Sequence, residues 1–215
     1  MKKIGFIGLG NMGLPMALNL CRKQFEVFVC SSSSESQQMV ISAGGGSIGS
    51  FQAMAETCDV IITIVPADQE IKSLYRMDGI LLNAKPGLVC IDMTSAKGTT
   101  KQAIAYQIEQ SGRDIQFIDA PVSGGVAGAE AGTLTVMVGC TDAQFEENQD
   151  IFQALGKKII HTGLVGSASN VKMLNQMLNA ANTAIAAEVL CISRKLGVSD
   201  QMLSEIVNQS SGGSF

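Results

Sequence analysis

Apolar residues recur along this chain with two different periods, and the switch between them divides it. Short, nearly continuous apolar runs of strand length lie at 4–7, 25–30, 59–65, 87–93, 115–119 and 158–161. Another, 133–139, alternates, with Leu134, Val136 and Val138 on one face. Continuous runs rich in Val and Ile are what parallel strands need when helices cover both of their faces. Met16, Ala17 and Leu20 sit at helical packing spacing after the first run, and 68–76 and 98–111 read as further helices. Strand and helix in alternation predict an α/β fold, a doubly wound and mostly parallel sheet. From about 169 to 196 the period becomes three and four, through Val171, Leu174, Leu178, Ala181, Ile185, Val189, Ile192 and Leu196. That is one long helix. Only Lys172 and Glu188 are charged between Ser169 and Ser193, and a helix so apolar is expected to be covered on most sides. The change of period places a boundary in 163–166, between a domain of residues 1–165 and the start of an all-α domain at 166–215. Gly44-Gly45-Gly46 reads as a loop.

Chemistry enters where the first strand breaks. Residues 3–20 pass from an apolar strand into Gly8-Leu9-Gly10-Asn11-Met12-Gly13 and then into a helix. Pro15 suits the first turn of that helix, where N–H groups lack intrahelical partners. Glycines cluster in ordinary turns too, but a strand before Gly-x-Gly-x-x-Gly and a helix after it are what a dinucleotide needs. Gly8 permits the tight turn, Gly10 lets backbone approach a pyrophosphate, and Gly13 lets the helix lie close on the strand. The helix N-terminus offers unpaired N–H groups and the positive end of its dipole to phosphates. No Gly-Lys-Ser/Thr follows, which excludes a P-loop.

A Rossmann-type sheet reads the adenosine ribose at the end of its second strand, through an acidic residue for NAD or an Arg for NADP. Here that place holds Cys30-Ser31-Ser32-Ser33-Ser34, whose hydroxyls suit either cofactor; a serine there also suits an N-cap before Glu35. The 59–65 run stops at Pro66 and the 87–93 run at Thr94-Ser95, both at strand carboxyl ends, where ligands gather in open α/β sheets.

Composition narrows the partners. With 215 residues, 46% hydrophobic and 16% charged, the chain is long enough for one large domain and part of another. A net charge of -4 without a basic stripe argues against nucleic acid. The six cysteines, at 21, 30, 58, 90, 140 and 191, are scattered singly, without a C-x-x-C pair, and read as small buried hydrophobes in a reducing cytosol. No metal site is expected. The Met1-Lys2-Lys3 opening imitates a signal peptide, but glycines interrupt the apolar run and no small-residue cleavage site follows. No apolar stretch is long enough to span a membrane, so the chain reads as cytoplasmic.

Two clusters carry candidate chemistry. Lys172, Asn175, Gln176 and Asn179 stand at i, i+3, i+4 and i+7 and share one face of the long apolar helix. A polar stripe there implies a cavity. A lysine so placed loses solvation, its pKa falls towards neutrality, and it suits proton exchange with a carbonyl oxygen. A lysine snorkelling to water beside ordinary amides fits the same spacing. Ser123-Gly124-Gly125 follows a strand and can form either a carboxylate pocket of hydroxyl and N–H donors or a plain turn. A nucleophilic role for Ser123 lacks a histidine near in sequence, and His161 reads as a structural strand-end residue.

Together, residues 8–20, 119–139 and 163–176 resemble the β-hydroxyacid dehydrogenase family, which includes 3-hydroxyisobutyrate dehydrogenase and tartronate semialdehyde reductase. The three motifs stand in order over the whole chain. The resemblance implies Lys172 as general acid/base, Asn175 as a catalytic, substrate-positioning amide, and Ser123, Gly124 and Gly125 as the carboxylate site, with Gln176 also at the substrate. It implies that Gly8, Leu9, Gly10, Asn11, Met12 and Gly13 hold the pyrophosphate, Ser31 and Ser32 the ribose, and Val65 and Pro66 the adenosine side. Thr94 would lie near the nicotinamide. The reaction implied is hydride transfer between NAD or NADP and a short 3-oxo acid. Lys172-x-x-Asn175-Gln176 is more similar to tartronate semialdehyde reductase than to the Lys-x-x-Asn-Asn of hydroxyisobutyrate enzymes. 3-Hydroxyisobutyrate, L-threonate or succinic semialdehyde type dehydrogenases of the same family, and a non-catalytic dinucleotide-binding module, are the alternatives.

Two departures stand out: Ala168 replaces a usual glycine, and Ser31-Ser32 replaces the usual Asp or Asn-Arg pair. Relatives continue past the position of Phe215 into helices that close the pocket and form a homo-oligomer, so the chain is expected to be a fragment with an exposed apolar face over 170–209.

Overall fold

The structure is a computed structural model that describes residues 2–76 and 78–213. In chain order the elements are β1 (Lys3–Ile7), α1 (Gly13–Arg22), β2 (Glu26–Val29), α2 (Ser34–Ser42), β3 (Gly46–Ser47), α3 (Phe51–Thr57), β4 (Val60–Thr63) and α4 (Asp68–Leu74). A 3-10 turn at Ile80–Asn83 leads to β5 (Leu88–Asp92), α5 (Gly98–Gln110), β6 (Ile115–Asp119), β7 (Val122–Ser123), α6 (Gly125–Ala131) and β8 (Leu134–Gly139). Then come α7 (Asp142–Glu147), α8 (Gln149–Leu155), β9 (Gly156–Gly163), α9 (Ser167–Lys195) and α10 (Asp200–Asn208).

The strands form one sheet ordered β3-β2-β1-β4-β5-β6-β8-β7, with β9 paired to β8. Pairing is parallel from β3 through β6. It turns antiparallel where β8 meets β6 and β7, while β9 runs parallel to β8. Apolar residues on both faces of the central strands explain the architecture. On β4 and β5, Val60, Ile62, Val89 and Ile91 pack beneath α1, with Met16, Ala17 and Leu20. Their neighbours Ile61, Leu88 and Cys90 face the other way, into a second core with Tyr75, Ile104, Ile108 and Phe117. Each such aliphatic side chain removed from water contributes about 1.5–3 kcal/mol, and a strand with a polar face could not be buried this way.

Several details differ from the sequence reading. Helices α2, α3, α6, α7 and α8 lack a long apolar period; short helices of one or two turns carry too few core positions to announce themselves. Gly46, expected in a loop, pairs with Phe28 as the start of edge strand β3. Of the cysteines, Cys58, Cys90 and Cys140 are buried, Cys21 and Cys30 half-buried, and Cys191 exposed, so the buried-hydrophobe reading holds for three. Burial pushes the Cys140 thiol up to about 11, which leaves it inert.

The chain divides into two compact units, one ending at Met173 and one starting at Leu174. In the second, α9 ends at Lys195, Gly197 with its φ of 76° turns the chain, and Arg194 pairs with Asp200 at 2.7 Å. The expectation of a covered long helix is not met in this chain: Leu178 (65% exposed), Ile185, Ile192 and Leu196 are all exposed. No helix among the described residues is long and apolar enough to cross a membrane.

Candidate active site

Chain order and sheet order first part company at β1. β2 and β3 lie on one side of β1, whereas β4, β5 and β6 lie on the other. The loops leaving the carboxyl ends of β1 and β4 therefore diverge, and the crevice between them is where such sheets bind nucleotides. Gly8 follows β1 and Val65-Pro66 follow β4. Ser31-Ser32 follow β2, Thr94 follows β5, and Ser123-Gly124-Gly125 follow β6, so the sequence-predicted cofactor and carboxylate residues occupy one edge of one sheet.

The first loop is built for close approach. Gly8 has φ 101°, which a side chain would strain. A β-carbon on Gly13 would overlap the Gly8 carbonyl oxygen and come within 2.9 Å of Ile64 Cγ2, so α1 lies on the strand end only because Gly13 has none. A β-carbon on Gly10 would meet nothing within 4 Å, so the open side of the loop faces free space between strand end and helix N-terminus. Gly10 and Asn11 are exposed, with Leu9 buried beneath them and Met12 half-buried. This cradle fits a pyrophosphate approached by backbone N–H groups.

The neighbouring loops are tied together. Val65 N–H donates to Thr94 Oγ1 at 3.0 Å, and Thr94 N–H donates to Asp92 Oδ1 at 3.1 Å. The Thr63 hydroxyl donates to the same Asp92 oxygen at 2.9 Å. At the end of β2, Ser33 Oγ caps α2 by accepting from Ser36 N–H at 3.3 Å, and Ser31 Oγ accepts from Ser33 N–H at 3.1 Å. Ser32 is exposed and Ser31 half-buried. After β6, Gly124 and Gly125 take φ of 135° and 63°, values that favour glycine, beside half-buried Ser123.

Lys172 is 7% exposed on α9, and desolvation lowers its pKa from the ordinary lysine value of 10.5. Helical spacing puts Asn175, Gln176 and Asn179 on the same side of α9, and all three are exposed. Ala168, in place of the usual glycine, is fully buried. His161 Nε2 donates to the Cys140 carbonyl oxygen at 2.9 Å and its ring stacks on Phe145, in keeping with a structural role. No group of His, Cys, Asp and Glu among the described residues could hold a metal ion.

One cluster escaped the sequence reading. Lys101, Asp92 and Asp119 are each completely buried. Lys101 Nζ lies 2.7 Å from Asp92 Oδ2 and 3.5 Å from Asp119 Oδ1. Asp119 Oδ2 accepts from the N–H groups of Gly166 at 3.1 Å and Ser169 at 2.9 Å, and Oδ1 from the Ser169 hydroxyl at 2.6 Å. The signal was present in α5, where Lys101 shares the apolar stripe of Ile104 and Ile108.

Parallel sheet, glycine cradle and diverging loops define a dinucleotide-binding domain. Residues 3–163 match the family described as the NAD binding domain of 6-phosphogluconate dehydrogenase. Residues 166–215 match the one described as NAD-binding of NADP-dependent 3-hydroxyisobutyrate dehydrogenase. Among curated relatives, 2-(hydroxymethyl)glutarate dehydrogenase of Eubacterium barkeri is 38% identical over 99% of this chain and 70% of its own length. NAD-dependent L-serine dehydrogenase of Pseudomonas aeruginosa is 35% identical over 100% of this chain and 72% of its own. The solved 3-hydroxyisobutyrate dehydrogenase of Mycobacterium tuberculosis with L-serine superposes with a TM-score of 0.89 at 31% identity, covering 100% of this chain and 72% of that one. The chain belongs to the β-hydroxyacid dehydrogenase family, of the 3-hydroxyisobutyrate dehydrogenase type. It is an NAD(P)-dependent 3-hydroxyacid dehydrogenase.

Proposed function

We propose that this chain oxidises, reversibly, the primary alcohol of 3-hydroxypropanoates that carry a variable group on carbon 2. The relatives' named substrates share that frame: serine, 3-hydroxyisobutyrate and 2-(hydroxymethyl)glutarate all read HOCH2–CH(R)–COO⁻. Tartronate semialdehyde, whose reduction gives glycerate with R a hydroxyl, fits it too. The Lys172-x-x-Asn175-Gln176 pattern, which resembles that of tartronate semialdehyde reductases, favours that substrate. In this reading Ser123, Gly124 and Gly125 take the carboxylate and Asn175 orients the reacting oxygen. Gly8 to Gly13, Ser31, Ser32, Val65, Pro66 and Thr94 hold NAD or NADP.

The observation that carries the reading is the buried Lys172 with its lowered pKa. Bound nicotinamide supplies or accepts the hydride at C4. Lys172 Nζ accepts the hydroxyl proton as the alcohol is oxidised and returns it to the oxygen when the aldehyde is reduced. Initial rates with NAD+ and NADP+ over glycerate, L-serine, 3-hydroxyisobutyrate, L-threonate and 4-hydroxybutyrate test it. Highest kcat/KM for glycerate is expected; preference for 4-hydroxybutyrate, which lacks the three-carbon frame, would refute the substrate class. In this reading the chain acts in the cytoplasm on a small carboxylate substrate, without nucleic acid or membrane as partner. The exposed apolar side chains of α9 and α10 are surface that a second copy covers, and a monomer by sedimentation at micromolar concentration would contradict that.

A further inference from the structure

The buried cluster of Lys101, Asp92 and Asp119 joins three pieces of the candidate site. Asp92 holds Thr94 N–H and the Thr63 hydroxyl, on the side where Thr94 in turn accepts from Val65 N–H. Asp119 is the last residue of β6, directly before the chain that leads to Ser123 and Gly125. It also takes two backbone N–H groups and one hydroxyl at the start of α9, three residues before Lys172. Lys101 lies between the two carboxylates and donates to the Thr94 carbonyl oxygen at 3.1 Å as well.

Charge supports the arrangement. Two carboxylates face one ammonium in a region without water contact, which leaves one negative charge in surplus. The positive N-terminal end of α9, with its free N–H groups aimed at Asp119, offsets that surplus. Contact geometry points the same way. A β-carbon on Gly98, at the start of α5, would overlap Asn170 Oδ1 and lie 2.6 Å from the Gly166 carbonyl oxygen. One on Gly139, at the end of β8, would lie 2.9 Å from the Leu164 carbonyl oxygen and 3.1 Å from Ser167 Oγ. The first turn of α9 is thus fixed by two close backbone approaches and by one carboxylate.

We propose that Asp119, Lys101 and Ser169 are positioning residues that set where Lys172 sits by pinning the start of α9 to the strand ends bearing the cofactor loops. The proposal rests on the reading of Lys172 as proton carrier, and these three residues touch neither substrate nor cofactor in it. A core ion pair needed only for stability would hold Asp92 and Lys101 together without reaching α9.

The test reads Lys172 directly and does not depend on turnover. Full-length wild type and the Asp119→Asn, Ser169→Ala and Gly98→Ala variants are labelled competitively with acetic anhydride across pH. Mass spectrometry then gives a titration midpoint for Lys172 and for exposed Lys23, and hydrogen exchange is followed over residues 166–172. In the variants we expect the Lys172 midpoint to rise back towards that of ordinary lysine, as water reaches it. Exchange over 166–172 accelerates at least roughly tenfold while Lys23 is unchanged. Gly98→Ala alters no charge, so the same shift in it shows that position is what changed. If Asp119→Asn fails to fold, the other two variants decide. Folded variants whose Lys172 profile matches wild type would overturn the proposal, even with lowered melting temperatures. Full turnover in Lys172→Ala would instead refute the proton-carrier reading and leave the labelling result standing.

Discussion

Replacing Lys101 by Met removes the one cation from a site holding two buried carboxylates. Lys101, Asp92 and Asp119 are all 0% exposed, with separations of 2.7 and 3.5 Å. Met matches the lysine stem in volume, so packing changes little and the loss is electrostatic. Breaking a buried pair from one side costs about 3–5 kcal/mol, because the remaining charge is left without water or partner. The Asp92 and Thr94 carbonyl oxygens also lose a donor. For a chain of this size each kcal/mol lowers the melting temperature by about 2–4 °C, so a fall of roughly 6–20 °C is expected. Lys85→Met is the control: its 2.6 Å bond to Asp59 is half-exposed, and such pairs contribute about 1 kcal/mol or less. Circular-dichroism melts with urea titrations measure both. Adding Asp92→Asn to Lys101→Met should recover part of the loss, since it removes one unpaired charge. A Lys101→Met variant no less stable than Lys85→Met would refute the reasoning.

Burial depresses the Lys172 pKa below 10.5, so the neutral form gains in the folded state. Oxidation, which needs the neutral amine, should rise with pH through a midpoint below 10.5, and reduction should fall through the same midpoint in kcat/KM profiles. For stability the sign is unfavourable: the buried ammonium costs the fold at neutral pH, and the cost is relieved as pH rises past the folded midpoint towards 10.5. Lys172→Met should therefore raise the melting temperature at pH 7 and lose that advantage above pH 10. Gly13→Ala must push α1 off the Gly8 carbonyl and Ile64, costing about 1–3 kcal/mol and weakening NADH and NADPH alike in fluorescence titrations. Ser32→Asp places a carboxylate at the exposed end of β2 and should lower NADPH affinity relative to NADH by roughly tenfold, with equal losses contradicting the ribose assignment.

The sheet and its helices were legible wherever a run was long and apolar on both faces. Residues 115–119 came through unchanged as β6, and the long period of 169–196 became α9, two residues longer at its start. What the sequence hid was local or cooperative. Helices such as α7, held by the Thr141 capping box, depend on end chemistry rather than an apolar stripe. The serine run separated into an N-cap at Ser33 and hydroxyls free for other work, which only backbone geometry can sort. The glycine cradle was readable because each glycine answers to a different neighbour, and Gly8, Gly10 and Gly13 show just that difference. The Lys101 cluster draws its members from two strand ends and two helices, so no single window of sequence contains it. Its trace was a lysine where an apolar residue belonged.

Proton transfer by Lys172 is open to one paired measurement. NADH and NADPH are titrated into wild type and Lys172→Ala by fluorescence, and the tighter cofactor is then oxidised with tartronate semialdehyde. Nearly equal cofactor Kd is expected in the two proteins, with kcat lower by about 10²–10⁴-fold in the variant, the span of general acid/base catalysis. Equal turnover in the two proteins would contradict it.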